Sequence, residues 1–203
     1  MKFIACTPWK GREADDSVFY TLPDTALKQG GQPFFVPESG LPCVMRPCLA
    51  VRICRQGRGV GERFAGRYYD AVTCAAHFVA KGLLESLVAD GLPWDEAVGF
   101  DGAVCIGQFL PVTDDSADRE MPCTTFDTLL RYSIGDSNHT TTVLTTAADI
   151  RRFLSAASSH FTLHQGDIAL LPATTATQEI LVNEDSRVVG ETNGAMLLKF
   201  NIK

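Results

Sequence analysis

Apolar residues in this chain come in short runs, and glycine or proline cuts most of them off before they can become long helices. Leu49-Ala-Val-Arg-Ile-Cys54 is the clearest case. It is rich in β-branched residues and is followed by Gly57 and Gly59, which marks a buried strand. Residues 2–6 and 18–22 are two further runs, the second ended by the turn pair Pro23-Asp24. Val72 to Phe78, Gly102 to Leu110 and Ile168 to Leu171 read the same way, and Gly166-Asp167 introduces the last of them. Thr124 to Ile134 runs into Gly135-Asp136, hairpin-type turn chemistry. The segments 187–190 and 195–202 are expected to pair as terminal strands. Helical spacing is clear in only two stretches. Lys81 to Asp90 sets Leu83, Leu84, Leu87 and Val88 on one face and meets a natural stop at Gly91. Asp149 to Ser158 places Ile150, Phe153 and Leu154 on a buried side. With few helices alternating with strands, the pattern predicts a β-rich α+β fold, a mixed β-roll or sandwich, and not a doubly wound sheet.

Residues 1–203 are enough for one ordinary domain with a sizeable core. Apolar residues make up 45% and charged ones 21%, a globular balance. The net charge of −6 argues against nucleic acid or an anionic membrane as partner, because both need a basic face. No stretch approaches the ~18 apolar residues of a membrane span. The first residues, MKFIACTPWKGREADD, do not read as a secretory signal. Seven cysteines stand at 6, 43, 48, 54, 74, 105 and 123, an odd number with no CxxC pair. A cytoplasmic chain with reduced thiols is therefore expected, most of them acting as small buried apolar residues.

Several segments, in order, carry a resemblance. They are Tyr20-Thr-Leu-Pro-Asp-Thr-Ala-Leu27, Glu62-Arg-Phe-Ala-Gly-Arg-Tyr-Tyr-Asp70 and His77-Phe-Val-Ala-Lys-Gly-Leu-Leu84. Gly91-Leu-Pro-Trp94, Gly99-Phe-Asp-Gly-Ala103 with Ile106-Gly107, and Phe161-Thr-Leu-His-Gln-Gly-Asp-Ile168 follow. Together they resemble the fumarylacetoacetate hydrolase family over nearly the whole chain. The resemblance implies a mixed β-sandwich roll and a homodimer. It also implies a Mg²⁺, Mn²⁺ or Ca²⁺ ion held by three carboxylates and chemistry on small keto acids: C–C cleavage, decarboxylation, tautomerisation or hydration. A hard cation wants oxygen ligands and stabilises the enolate that forms as the bond breaks.

The residues at the corresponding positions differ from that pattern. Aligning the apolar strand on Leu49–Ile53 puts Arg46 and Cys48 where the resemblance implies two glutamates, and His77 where it implies an aspartate. The substrate-contacting arginine is Lys81 and the glutamine is Leu84; the catalytic lysine is Val98, and the lysine of an early Lys-Pro pair is Leu22. The Gly-Thr-Pro after the Gly-Asp strand reads Pro172-Ala173-Thr174, and Thr7-Pro-Trp-Lys-Gly11 replaces a histidine-bearing segment. A divalent cation beside Arg46, which stays protonated in a protein, would be repelled. No divalent cofactor and no catalytic residue are expected. Asp101 and Glu38 are the nearest carboxylates that could be recruited, and neither restores a three-oxygen cluster.

Two sharper readings stay open beside plainer ones. Cys48 and His77 could form a Zn²⁺ site or a nucleophile and base, or be a small apolar thiol and a hydrogen-bonded imidazole in a collapsed pocket. Arg46 could grip an organic carboxylate, or form a salt bridge or a solvated surface residue. Arg46, Lys81, His77 and Cys48 are thus the candidate ligand-binding residues, for a small carboxylate. Gly57-x-Gly59-x-Gly61 lacks the Lys-Ser/Thr of a phosphate loop and reads as a turn. His160 and His164 read as an exposed helix-end or strand-edge pair. The leading expectation is a catalytically inactive family homologue with a structural, partner-binding or ligand-binding role. The alternative is a hydrolase, isomerase or decarboxylase with a rebuilt site, acting on a small keto acid or dicarboxylate.

Overall fold

A computed structural model of the chain describes residues 1–8, 17–28, 31–37, 41–112, 125–134, 137–172 and 179–203. The early strands are β1 (Phe3–Pro8), β2 (Ser17–Leu22), β3 (Leu27–Lys28) and β4 (Val44–Ile53). A short helix α1 (Glu62–Ala65) leads into β5 (Tyr69–Val79), α2 (Lys81–Ala89), α3 (Asp95–Val98), β6 (Val104–Ile106) and β7 (Leu110–Pro111). The second half holds β8 (Thr125–Ile134), β9 (Ser137–Thr146), α4 (Ala147–His160) and β10 (Ile168–Pro172). It closes with β11 (Ile180–Leu181), β12 (Ser186–Thr192) and β13 (Ala195–Asn201).

These strands make two sheets. The larger runs β2-β1-β10-β4-β5-β6-β3, with β11 added to β4 and β7 to β5. It is mixed: β1–β10 and β3–β6 are parallel, while β4 is antiparallel to both β5 and β10. The smaller sheet, β13-β12-β8-β9, is antiparallel throughout. The fold is a β-rich α+β fold with a curled mixed sheet. Among the described residues no helix is long and apolar enough to cross a membrane.

Side-chain alternation explains the layers. Along β4, Leu49, Val51 and Ile53 face the α4 side, where they meet Ile150, Leu154 and Ala157. On the opposite face Val44, Cys48 and Ala50 join Ala75, Val79 and Leu170. Met45, Cys74, Ala76 and Phe78 pack towards Leu198 and Phe200 of the smaller sheet. There the Phe34 and Phe78 rings stack with centroids 3.6 Å apart. Helix α4 starts where its capping chemistry dictates. Thr146 Oγ1 accepts from the Asp149 backbone N–H at 3.1 Å, and Asp149 accepts from the Thr146 backbone N–H at 2.9 Å.

Several expectations need correction. Gly102–Leu110 is not one strand. Its ladder stops after Ile106 because Gln108 N–H donates to Leu197 O at 2.9 Å, drawing the chain to the smaller sheet. Gly107 permits this close approach, since a Cβ there would lie 2.7 Å from Thr73 Oγ1 and 2.8 Å from Leu197 O. Pro47 lies within β4. It falls between the residues paired to β11, which end at Met45, and those paired to β10, which begin at Cys48. Among the described residues that edge shows no backbone partner at Pro47, where a missing N–H is tolerated. Helix α2 buries none of its residues fully, and Val88 is exposed. Gly57–Gly61 makes an ordered loop, bridged to Leu163, with positive φ only at Gly59. The loop expected at 113–120 and the turn at Gly135-Asp136 lie outside the described residues.

The start of the chain is pinned by Asp167, whose side chain is 3% exposed. Asp167 accepts from the backbone N–H of Lys2 at 3.0 Å and of His164 at 2.9 Å, and it pairs with the Lys2 ammonium. His164 is thereby part of a strand-entry turn, and His160 ends α4 with its ring stacked near Phe19. Asp167→Ala is expected to lower unfolding free energy by about 1–3 kcal/mol, since it leaves part-buried donors without their charged acceptor. Urea denaturation measures it; an unchanged midpoint would mean that the Lys2 contacts are incidental.

Candidate functional site

Register brings the candidate residues together. Arg46 on β4 is directly opposite His77 on β5, and Cys48 lies two residues further along β4, opposite Ala75. The period of two puts Arg46, Cys48 and His77 on one face of the sheet. Tyr20 from β2 and Trp94 close over this face, with Tyr20–Trp94 ring centroids 5.2 Å apart in an edge contact and Tyr20–His77 at 6.3 Å. Lys81 reaches the same place from the first residue of α2.

The arrangement turns on a residue that the sequence reading missed. Glu179 stands one residue before β11, which pairs with the same edge of β4 as β10 does. Arg46 donates to Glu179 Oε1 from Nε at 3.0 Å and from Nη2 at 2.8 Å. Lys81 Nζ donates to Oε2 at 2.7 Å. Burial alone would raise the Glu179 carboxyl, but the hydrogen bonds from Lys81 and Arg46 outweigh it and hold the group below its ordinary range. The same contact raises Lys81. A hint was present in the sequence: Glu179 is the sole charged residue between Asp167 and Glu184. Its partner lies 133 residues away in the chain, so no local spacing could connect them.

The other polar groups are muted. His77 is buried, and its Nε2 donates to Val98 O at 2.8 Å in the neutral tautomer that such a contact selects. Burial lowers its pKa to about 4, with Arg46 adding to the effect. Burial also pushes the Cys48 thiol up to about 12 despite Arg46 nearby, so it is held as a thiol at neutral pH. Tyr20 is raised by burial too, with Arg46 near its hydroxyl opposing. Cys43 and Cys74, close in sequence to Cys48 and His77, belong to the opposite face of the sheet.

Leu22, Val98 and Leu84 pack in one apolar cluster with Cys48, Tyr20 and Trp94. Asp101 sits apart in a shallow surface hollow beside Asp24, Lys28 and Gln32. Glu38, Ala173 and Thr174 lie outside the described residues. Among the described residues no three His, Cys, Asp or Glu side chains gather around one point.

The sequence profile described as "Fumarylacetoacetate (FAA) hydrolase C-terminal" matches residues 5–199. The chain belongs to the fumarylacetoacetate hydrolase family. Solved structures agree on the fold. A fumarylacetoacetate hydrolase family protein from Yersinia pestis superposes with a TM-score of 0.78 at 22% identity, covering 100% of this chain and 92% of the other. Fumarylpyruvate hydrolase from Pseudomonas aeruginosa, solved with Mn²⁺ and pyruvate, gives 0.77 at 14% identity, covering 100% and 90%. The 5-carboxymethyl-2-hydroxymuconate delta-isomerase from Mycobacterium smegmatis gives 0.73 at 20%, covering 99% and 78%. No curated protein sequence matches it. At these identities the likeness speaks for the fold, and the solved relatives named include a hydrolase and an isomerase.

Proposed function

We propose that this family member lacks the metal chemistry of its relatives and is catalytically inactive, keeping the scaffold for a ligand-binding role towards small carboxylates. The observation that carries this reading is the Arg46–Glu179–Lys81 cluster. A hard divalent cation needs several oxygen donors. The groups that the family alignment puts at its ligand positions are a guanidinium, a protonated thiol and an imidazole with Nε2 already committed. The nearby carboxylate, Glu179, has both oxygens engaged by cations. This donor set does not fit Mg²⁺, Mn²⁺ or Ca²⁺. Proton transfer is equally poorly served, because apolar side chains stand where the resemblance implies lysines and a glutamine. The chain is read as a cytoplasmic homodimer with reduced thiols, in keeping with the family likeness and its cysteine usage.

Elemental analysis and thermal melts with Mg²⁺ or Mn²⁺, each with and without EDTA, test the reading. The expected outcome is no retained divalent metal and no shift in Tm. An ion present at 100 times its Kd would stabilise the fold by about 2.7 kcal/mol, well within detection. Stoichiometric, stabilising metal would overturn the proposal and favour an enzyme with a rebuilt site, acting on a small keto acid or dicarboxylate.

A further inference from the structure

We infer that Glu179 is an internal competitor that occupies the carboxylate site: Arg46 and Lys81 take a small free carboxylate only when Glu179 swings away. This rests on the ligand-binding reading above and adds its regulation.

The geometry of the occupant is the starting point. Arg46 sends both Nε and Nη2 to the same oxygen, Oε1, and leaves Oε2 to Lys81. A guanidinium binds a carboxylate best through two parallel bonds, one to each oxygen. Glu179 does not meet the fork that way, and a free carboxylate can turn to do so.

Access and release also fit. The Lys81 side chain is 41% exposed and that of Glu179 28%, so the contact opens to water while Arg46, at 19%, forms its floor. Glu179 stands outside the two-residue ladder of β11, whose pairs are Ile180 with Met45 and Leu181 with Val44. Its side chain can therefore leave without breaking that ladder. Tyr20, Trp94 and Leu84 supply an apolar wall on the same face of the sheet.

An occupant tethered in place lowers apparent affinity by the fraction of time the site is free. If Glu179 holds the site about nine-tenths of the time, its removal should tighten binding about tenfold. Calorimetric titration of the full chain with malonate and with acetate, in EDTA and with added Mn²⁺, tests this in wild type, Glu179→Gln and Glu179→Ala. Both variants should bind malonate about tenfold more tightly than wild type, and equally well in EDTA. Adding Lys81→Met to either should remove most of the gain. Unchanged or weaker binding in both Glu179 variants, or no binding in any form, overturns the inference. Binding that appears only with Mn²⁺ overturns it together with the metal-free reading, whereas metal-independent binding insensitive to Glu179 leaves that reading standing.

Discussion

Arg46→Glu, Cys48→Glu and His77→Asp, introduced together, should give this protein affinity for Mn²⁺ or Mg²⁺ while sharply destabilising it without metal. Positions 46 and 77 are directly opposite across the β4–β5 ladder, and 48 is two residues along on the same face. Directly opposed side chains in such a pair lie ~5 Å apart at Cβ and diagonal ones ~7–8 Å, close enough for three carboxylates to meet one ion. Without the ion they repel one another and the burial of Cys48 becomes the burial of a charge. Glu179 loses its Arg46 partner and becomes a fourth anion, balanced by Lys81 alone. A loss of about 4 kcal/mol or more in the metal-free state is expected. With metal, a Kd of about 100 µM or tighter should recover much of that stability. The checks are urea denaturation and titration with Mn²⁺. A variant that folds yet gains no metal affinity would show that residues 43–48 do not align with the family's metal-binding strand. Activity on keto acids should stay absent, because Leu22, Leu84 and Val98 still line the pocket.

Acidification should expose His77. Its folded-state pKa is depressed, from the model-compound value of 6.5 to about 4. Above pH 6.5 the imidazole is neutral in both folded and unfolded chains and its neutrality carries no penalty. As the pH falls from 6.5 towards 4, the unfolded chain takes up a proton that the folded chain refuses. Stability is therefore lost through that window, by about 3 kcal/mol in total and at most about 1.4 kcal/mol per pH unit. Carboxylates titrate in the lower half of the same window, so the decisive measurement is a difference. Wild type and His77→Gln, whose amide can still donate to Val98 O, are compared by urea denaturation at pH 7, 5.5 and 4.5. The wild-type curve should fall away faster; parallel curves would mean that His77 is protonated in the folded state.

Much of this architecture is written locally. The β-branched run at Leu49–Ile53, the Thr146–Asp149 cap that starts α4 and the Gly166-Asp167 entry to β10 depend on near neighbours, and their chemistry is legible residue by residue. The one-face placement of Arg46, Cys48 and His77 follows as well, once two strands are known to pair, because alternation leaves little choice. The family assignment needed only the ordered motifs. What the sequence could not decide rests on contacts between distant segments. The Gly102–Leu110 run breaks because Leu197 competes for the backbone of Gln108. Pro47 is accommodated inside a central strand at a point where, among the described residues, neither β10 nor β11 pairs with it. Arg46 is neither a solvated surface charge nor an open carboxylate hook, because Glu179, far along the chain, pairs with it and ties it to Lys81. Local propensity sets which residues can form a strand or a helix, but a salt bridge between strands exists only after the sheet has fixed their positions.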